Sequence, residues 1–185
     1  MKKWQYIFGL VIILVVVLGG YYFYRTRISE SNQPGIRVDY ELIDRSNYGL
    51  YADLADEEKY KTLSATIFSD EASWKRFWEN QIRDANTGGF DNYPPVDFDQ
   101  KRVLALLQGV KPTGGYFLNV TELTVVGKKL VAKVNISEPG DQGVQTQAVS
   151  APYDIVKFDK AVLDGKTTLE VWDANTNKKI LSQKL

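Results

Sequence analysis

The alternation of apolar and polar residues over positions 130–137 is the feature that most constrains the fold. Leu130, Ala132, Val134 and Ile136 occupy the even positions and are all apolar, whereas positions 133, 135 and 137 are polar. A period of two is typical of an antiparallel strand with one buried face and one solvated face. The segment therefore predicts a strand that needs neighbouring strands beside it and a core on one side only.

The preceding segment, residues 116–125, predicts the partner strand of a hairpin that turns at residues 127–128. Its apolar side chains stand at even positions up to Val120 and at odd positions from Leu123 onward. Such a change moves side chains to the wrong face of the strand unless one extra residue is absorbed. We therefore predict a β-bulge near residues 121–122.

Other short segments rich in β-branched and aromatic residues predict further strands. They lie at residues 38–43, 47–51, 63–68, 103–107, 144–149, 155–158, 167–172 and 179–181. Residues 103–107 are almost continuously apolar, which favours a strand buried on both faces in the middle of the sheet.

One soluble helix is predicted to begin at Ser69 or Asp70, both of which are good N-cap residues. An apolar stripe at helical spacing follows, formed by Trp74, Phe77, Trp78 and Ile82. The two tryptophans could stack on a ligand, but aromatic residues at this spacing are typical of a core. We expect the helix to pack on the sheet.

These elements predict a single α+β domain over residues 38–185. It is expected to be mainly antiparallel β-sheet with one packed amphipathic helix, because short strands outnumber helical segments and their connections are too short for βαβ crossovers.

The first 24 residues contain an uncharged run at positions 6–24 that is long enough to cross a bilayer as a helix. Aromatic residues cluster at both ends of this run, where membrane interfaces favour them. A cleaved signal peptide is the alternative, but the run exceeds a typical signal h-region and no small-residue cleavage site follows. We expect residues 1–24 to be an uncleaved single-pass anchor, residues 25–37 a polar linker, and the domain to lie outside the cytoplasm.

Composition excludes several kinds of function. The chain has 23 basic and 23 acidic residues and no basic cluster, so nucleic acid is not expected as a partner. It has no histidine and no cysteine, which removes the common Ser-His and Cys-His arrangements and the usual zinc sites. We expect no metal or other cofactor. Carboxylate chemistry remains open, and the pairs that we weigh for it are Asp97 with Asp99 and the adjacent Asp70 with Glu71.

Several motifs in the second half of the chain resemble the C-terminal domain of the PrcB family. They are GVKPTGGY at residues 109–116, EPG at residues 138–140, TQA at residues 146–148, and the Pro152-Tyr153 pair followed by IVK at residues 155–157. The similarity spans roughly residues 60–160. The family takes its name from a subunit of a bacterial cell-surface protease complex, so the resemblance implies a protein-binding role. One position departs from the family: a histidine often follows the Pro-Tyr pair, and here the residue is Asp154.

Two functions follow as hypotheses. The first is a non-catalytic binding module at the cell surface that holds a partner protein such as a protease. Its expected contact residues are Lys111, Pro112, Thr113, Gly114, Gly115, Tyr116, Thr146, Gln147, Pro152 and Tyr153. The alternative is a small carboxylate-dependent hydrolase of the cell envelope. The contact residues also fit a structural role, with the glycines adopting positive φ and Tyr116 packed in the core.

Overall fold

The computed structural model describes residues 35–47, 62–82, 93–139 and 149–185. The described residues from Ile36 to Leu185 form one compact unit. Its nine strands are β1 (Ile36–Val38), β2 (Tyr40–Ser46), β3 (Ser64–Phe68), β4 (Lys101–Leu107), β5 (Phe117–Val126), β6 (Lys129–Ser137), β7 (Tyr153–Asp159), β8 (Thr168–Asp173) and β9 (Lys178–Lys184).

The described strands form two sheets. One has five strands in the order β1-β5-β6-β8-β9, and the other has four in the order β2-β7-β4-β3. Every pair is antiparallel except β6 with β8. That pair is parallel because the chain leaves β6, adds β7 to the four-stranded sheet, and only then returns to the five-stranded sheet. A short 3₁₀ helix, Lys160–Leu163, lies on this return path.

The main core lies between the two sheets. Alternate residues of the β5–β6 hairpin, such as Leu118 and Leu130, are fully buried there together with Leu104 and Val156 of the four-stranded sheet. Burying such a side chain contributes about 1.5–3 kcal/mol. The predicted bulge is confirmed, because the pairing of β5 with β6 changes register between Val120 and Glu122.

A second apolar cluster joins the helix to the outer face of the four-stranded sheet. The helix α1 spans Glu71–Phe77, and its buried Trp74 and Phe77 pack with Val103 and Ile155 of that sheet. The odd residues of β4 face α1 and the even residues face the other sheet. This confirms that β4 is buried on both faces, and it has β7 and β3 on either side.

The ends of α1 follow from local chemistry. The Asp70 side chain is the N-cap and accepts a hydrogen bond from the Ser73 backbone N–H at 2.8 Å. This confirms the predicted start of the helix. At its other end the chain continues as a π-helical turn, Trp78–Ile82.

Three sequence expectations need correction. Residues 38–43 do not form one strand, because β1 ends at Val38 and β2 begins at Tyr40 in the other sheet. The alternation continues through both strands, so it does not reveal that the chain changes sheet at Asp39. Alternation also does not show how strands divide between sheets, so the single sheet expected from the sequence is two sheets in the structure. The strand predicted at residues 144–149 does not include Val149, which lies outside any strand.

Several predictions fall on residues outside the described ranges. They are the membrane helix at residues 6–24, most of the strand at residues 47–51, and residues 144–148 of another strand. Within the described ranges, no helix combines the length and apolar character needed to cross a membrane.

Candidate functional site

The turn that follows β4 is fastened to the segment that precedes β7. The Lys111 N–H donates to the Ser150 carbonyl at 2.8 Å, and the Ser150 N–H donates to the Lys111 carbonyl at 3.0 Å. The Ser150 hydroxyl, itself fully buried, also donates to the Thr113 carbonyl at 2.7 Å. Three hydrogen bonds therefore hold residues 111–113 against one serine.

The two glycines of this turn have different roles. Gly115 adopts a φ of 93°, in the region that L side chains rarely adopt. A Cβ at this position would lie 3.0 Å from the Cβ of Pro139, in the loop after β6. Gly114 does not have a positive φ and is buried. The close approach of Pro139 therefore adds a second reason for glycine at position 115.

We call the outward-facing part of this region the turn surface and define it as Lys111, Pro112, Thr113, Tyr116 and Val149. Pro112 is exposed, Val149 is 47% exposed, and the other three are partly buried. The Lys111 Nζ atom lies 5.4 Å from the centroid of the Tyr116 ring, within the range of a cation–π contact. The turn surface thus presents a cation, an aromatic ring and two apolar side chains.

The remaining predicted contact residues lie elsewhere. Pro152 is buried and Tyr153 is only 4% exposed, so their side chains lie beneath the surface and offer almost no contact area. The Tyr153 hydroxyl donates to the Asp44 carboxylate at 2.7 Å. Burial and this hydrogen bond raise the pKa of Tyr153. Thr146 and Gln147 lie outside the described residues.

Sequence reasoning missed a buried ion pair beside this region. Asp154 has no exposed surface, and its Oδ2 atom accepts from Arg45 at 2.9 Å and from the backbone N–H of Val120. The Val120 carbonyl in turn accepts from the Tyr40 hydroxyl at 3.1 Å. Asp154 thereby connects β7 to the neighbouring β2 and to the bulge of β5 in the other sheet.

The electrostatics of Asp154 are dominated by its burial. Burial raises the pKa of this carboxyl, and the hydrogen bonds from Arg45 and Val120 oppose the rise without cancelling it. Its Oδ1 atom and the Nε atom of Arg45 have no hydrogen-bond partner among the described residues. The available signal was the place of Asp154 after the Pro-Tyr pair, where the family resemblance leads us to expect histidine. Nothing in the sequence pointed to Arg45 as its partner.

The carboxylates weighed for catalysis shape local turns. The Asp97 carboxylate accepts from the Asp99 N–H at 3.0 Å, and the Asp97 carbonyl accepts from Lys101 N–H at 2.8 Å as the chain enters β4. Asp70 is occupied by Ser73, whose hydrogen bonds lower the pKa of the Asp70 carboxyl. Glu71 accepts from the Tyr93 hydroxyl. These contacts give structural roles to the carboxylates of Asp97, Asp70 and Glu71, whereas Asp99 contributes its backbone N–H.

Comparison with known proteins identifies one matching family model. Residues 102–159, which run from β4 to the end of β7, match the model described as PrcB C-terminal. The resemblance read from the sequence motifs is confirmed over these residues, and they contain the whole turn surface and Asp154. Searches of curated proteins and of solved structures found no match.

Proposed function

We propose that this chain is a non-catalytic protein-binding subunit and that the turn surface contacts its partner. The family match supports a role related to a protease complex, and it spans the residues that build and carry the turn surface. We propose accordingly that the partner is a protease or another subunit of a cell-surface protease complex.

The observation that carries this proposal is the combination of exposure and rigidity in the turn. Lys111 is held by paired backbone hydrogen bonds to Ser150, and its ammonium group is positioned over the Tyr116 ring. A surface that is already ordered loses less conformational entropy when it binds. Aromatic side chains are enriched at protein interfaces. Val149, which precedes Ser150 in the chain, adds exposed apolar area.

The structural use of the acidic residues supports binding rather than turnover. Asp97 and Asp99 are bonded within one exposed turn. Among the described residues, these contacts favour the binding module over the hydrolase alternative. Turnover that is abolished by Asp97→Asn or Asp99→Asn would restore it.

We also propose that residues 6–24 anchor the chain in a membrane with the domain outside the cytoplasm. The support is the uncharged run itself and its flanking aromatic residues. A partner at the cell surface requires this orientation. This orientation is tested by asking whether an impermeant reagent modifies a residue of the turn surface in intact cells.

The proposed function is tested by capture with the full chain, solubilised from membranes of its own host. The wild-type chain should co-purify with one protein in a constant ratio, whereas Lys111→Glu combined with Thr113→Arg should lose it. The double variant should lower stability by no more than about 1 kcal/mol, because it changes partly exposed side chains and one cation–π contact.

A matched control makes the same chemical changes elsewhere. Lys128 and Thr62 are both exposed, so Lys128→Glu combined with Thr62→Arg should retain the partner. Equal capture by all three proteins would refute the turn surface as the contact. A captured partner that has no peptidase activity and is bound to no peptidase would refute the proposal that the partner belongs to a protease complex.

A further inference from the structure

Among the described residues, the β3 strand forms a sheet edge that lacks the usual protection. Exposed edges pair readily with other chains, and proteins normally protect them by short length, charge or bulges. Of the four edge strands among the described residues, β1 has only three residues, and the pairings of β2 and β9 both shift register. By contrast, β3 pairs with β4 over five consecutive residues without a shift and has no charged side chain.

The backbone groups on the open side of β3 can be identified from the ladder. The Gln108 N–H donates to the Pro152 carbonyl at 2.9 Å, so the even residues of β4 direct their hydrogen bonds toward β7. Ala65 and Ile67 lie opposite even residues of β4, so their N–H and carbonyl groups point away from the sheet. Consistent with this, the Ala65 carbonyl accepts from the Gln183 side chain at 3.1 Å.

A groove runs along the same edge. It has a volume of about 390 Å³. It lies between β3 on one side and α1 with the following π-helical turn on the other. Phe68, Phe77 and Leu107 form its apolar lining. Ser64, Thr66, Asn80 and Gln81 supply hydroxyl and amide groups, and Arg76 is the only charged residue among the described residues that line it.

Arg76 gives the groove a preference for one sign of charge. The structure records no ion pair for Arg76 among the described residues, although its charge, after the hydrogen bonds from Ser73, helps to lower the pKa of the nearby Asp70 carboxyl. Asp70 accepts from Ser73, and Glu79 lies 4.0 Å from Lys75. A guanidinium group binds carboxylates through paired hydrogen bonds. A ligand with an acidic side chain therefore complements the groove.

We propose that β3 binds an extended segment of a partner protein by strand addition, with an acidic side chain of that segment paired to Arg76. Hydrogen bonds to the Ala65 N–H and to both backbone groups of Ile67 would supply affinity, and the Ala65 carbonyl would join them once Gln183 is displaced. The groove would select the side chains on one face of the added strand. This contact is separate from the turn surface and does not depend on it.

The test uses the full chain in detergent and a short capped peptide of alternating threonine and valine with a central glutamate. The glutamate peptide should bind about two- to fivefold more tightly than its lysine counterpart, the size of an exposed ion pair. Arg76→Glu should reverse this preference. N-methylation of the peptide amides that face β3 should weaken binding about tenfold or more, because it removes backbone hydrogen bonds.

Amide hydrogen exchange provides an internal control for the mode of binding. Bound peptide should slow exchange at Ala65 and Ile67, whereas Thr66 and Phe68 already bond to β4 and should change little. Lys111→Glu combined with Thr113→Arg should leave peptide binding to β3 unchanged. Failure of the β3 proposal can therefore be distinguished from failure of the proposal that the turn surface binds a partner.

Three results would overturn the inference. The first is equal binding of the glutamate and lysine peptides to the wild-type chain. The second is protection of amides away from β3. The third is a dimer, seen by sedimentation and abolished by Thr66→Lys, that forms while the peptide fails to bind. In that case the occupant of the edge is a second copy of this chain.

Discussion

Single residues in and around the turn at residues 111–116 show where local sequence rules succeed and where they stop. The Pro-Gly-Gly pattern predicts a glycine with positive φ, and Gly115 has one. The sequence does not reveal that Pro139 lies against Gly115, because this contact joins two loops on either side of the β5–β6 hairpin. The burial of Tyr153 is likewise set by tertiary packing against α1.

Gly115 and Gly165 provide a matched pair for testing this contact. Both have positive φ, but a Cβ at Gly165 would meet no atom within 4 Å. We expect Gly165→Ala to lower the free energy of unfolding by about 1 kcal/mol from backbone strain alone. Gly115→Ala should cost about 1–3 kcal/mol more, because it also forces Pro139 to move. Urea denaturation of residues 36–185 measures both, and equal losses would contradict the contact.

The elements follow from the sequence to different degrees. The N-cap of α1, the bulge in β5 and the buried character of β4 all rest on local patterns, and the structure confirms them. Alternation shows which face of a strand is buried but not which sheet the strand joins. The separation of β1 from β2 and the parallel pairing of β6 with β8 were therefore beyond sequence reasoning.

The connection among β2, β5 and β7 through Asp154 predicts a specific pH dependence. Because burial raises the pKa of Asp154, the folded chain binds this proton more tightly than the unfolded chain. The stabilisation is fully present below the unfolded pKa and is lost as pH rises through the folded pKa. We compare the wild type with Asp154→Asn, whose amide can still accept from Val120 but does not titrate.

The wild type should lose stability relative to Asp154→Asn as pH rises above the pKa of Asp154 in the unfolded chain and through its raised pKa in the folded chain. Urea denaturation of residues 36–185 at several pH values measures the difference between the two proteins. A wild type that instead gains relative stability with rising pH would mean that attraction to Arg45 outweighs the cost of burial.

At the scale of the whole molecule, the turn at residues 111–116 lies beside the segment before β7. Family-like motifs marked both, and the backbone bridge between Lys111 and Ser150 joins them. The sequence did not reveal the open edge of β3 or the pairing of Arg45 with Asp154, since each depends on residues that are distant in the chain. The two proposed contact sites therefore rest on different evidence.

The central claim, that the turn surface contacts a partner outside the cell, can be tested by a single cross-linking measurement. The chain has no cysteine, so Pro112→Cys introduces its only thiol. Lys128→Cys is the control, because Lys128 is exposed in the β5–β6 turn at the far end of β5. Each variant is treated in intact cells with a membrane-impermeant thiol-to-amine cross-linker.

We predict a discrete cross-linked species from cysteine at position 112 that contains one partner protein, and simple modification without a partner at position 128. The same partner adduct from both positions would contradict the turn surface as the specific contact. Modification at position 112 only after cell lysis would contradict the outward location, and modification in intact cells without any adduct would contradict the bound partner.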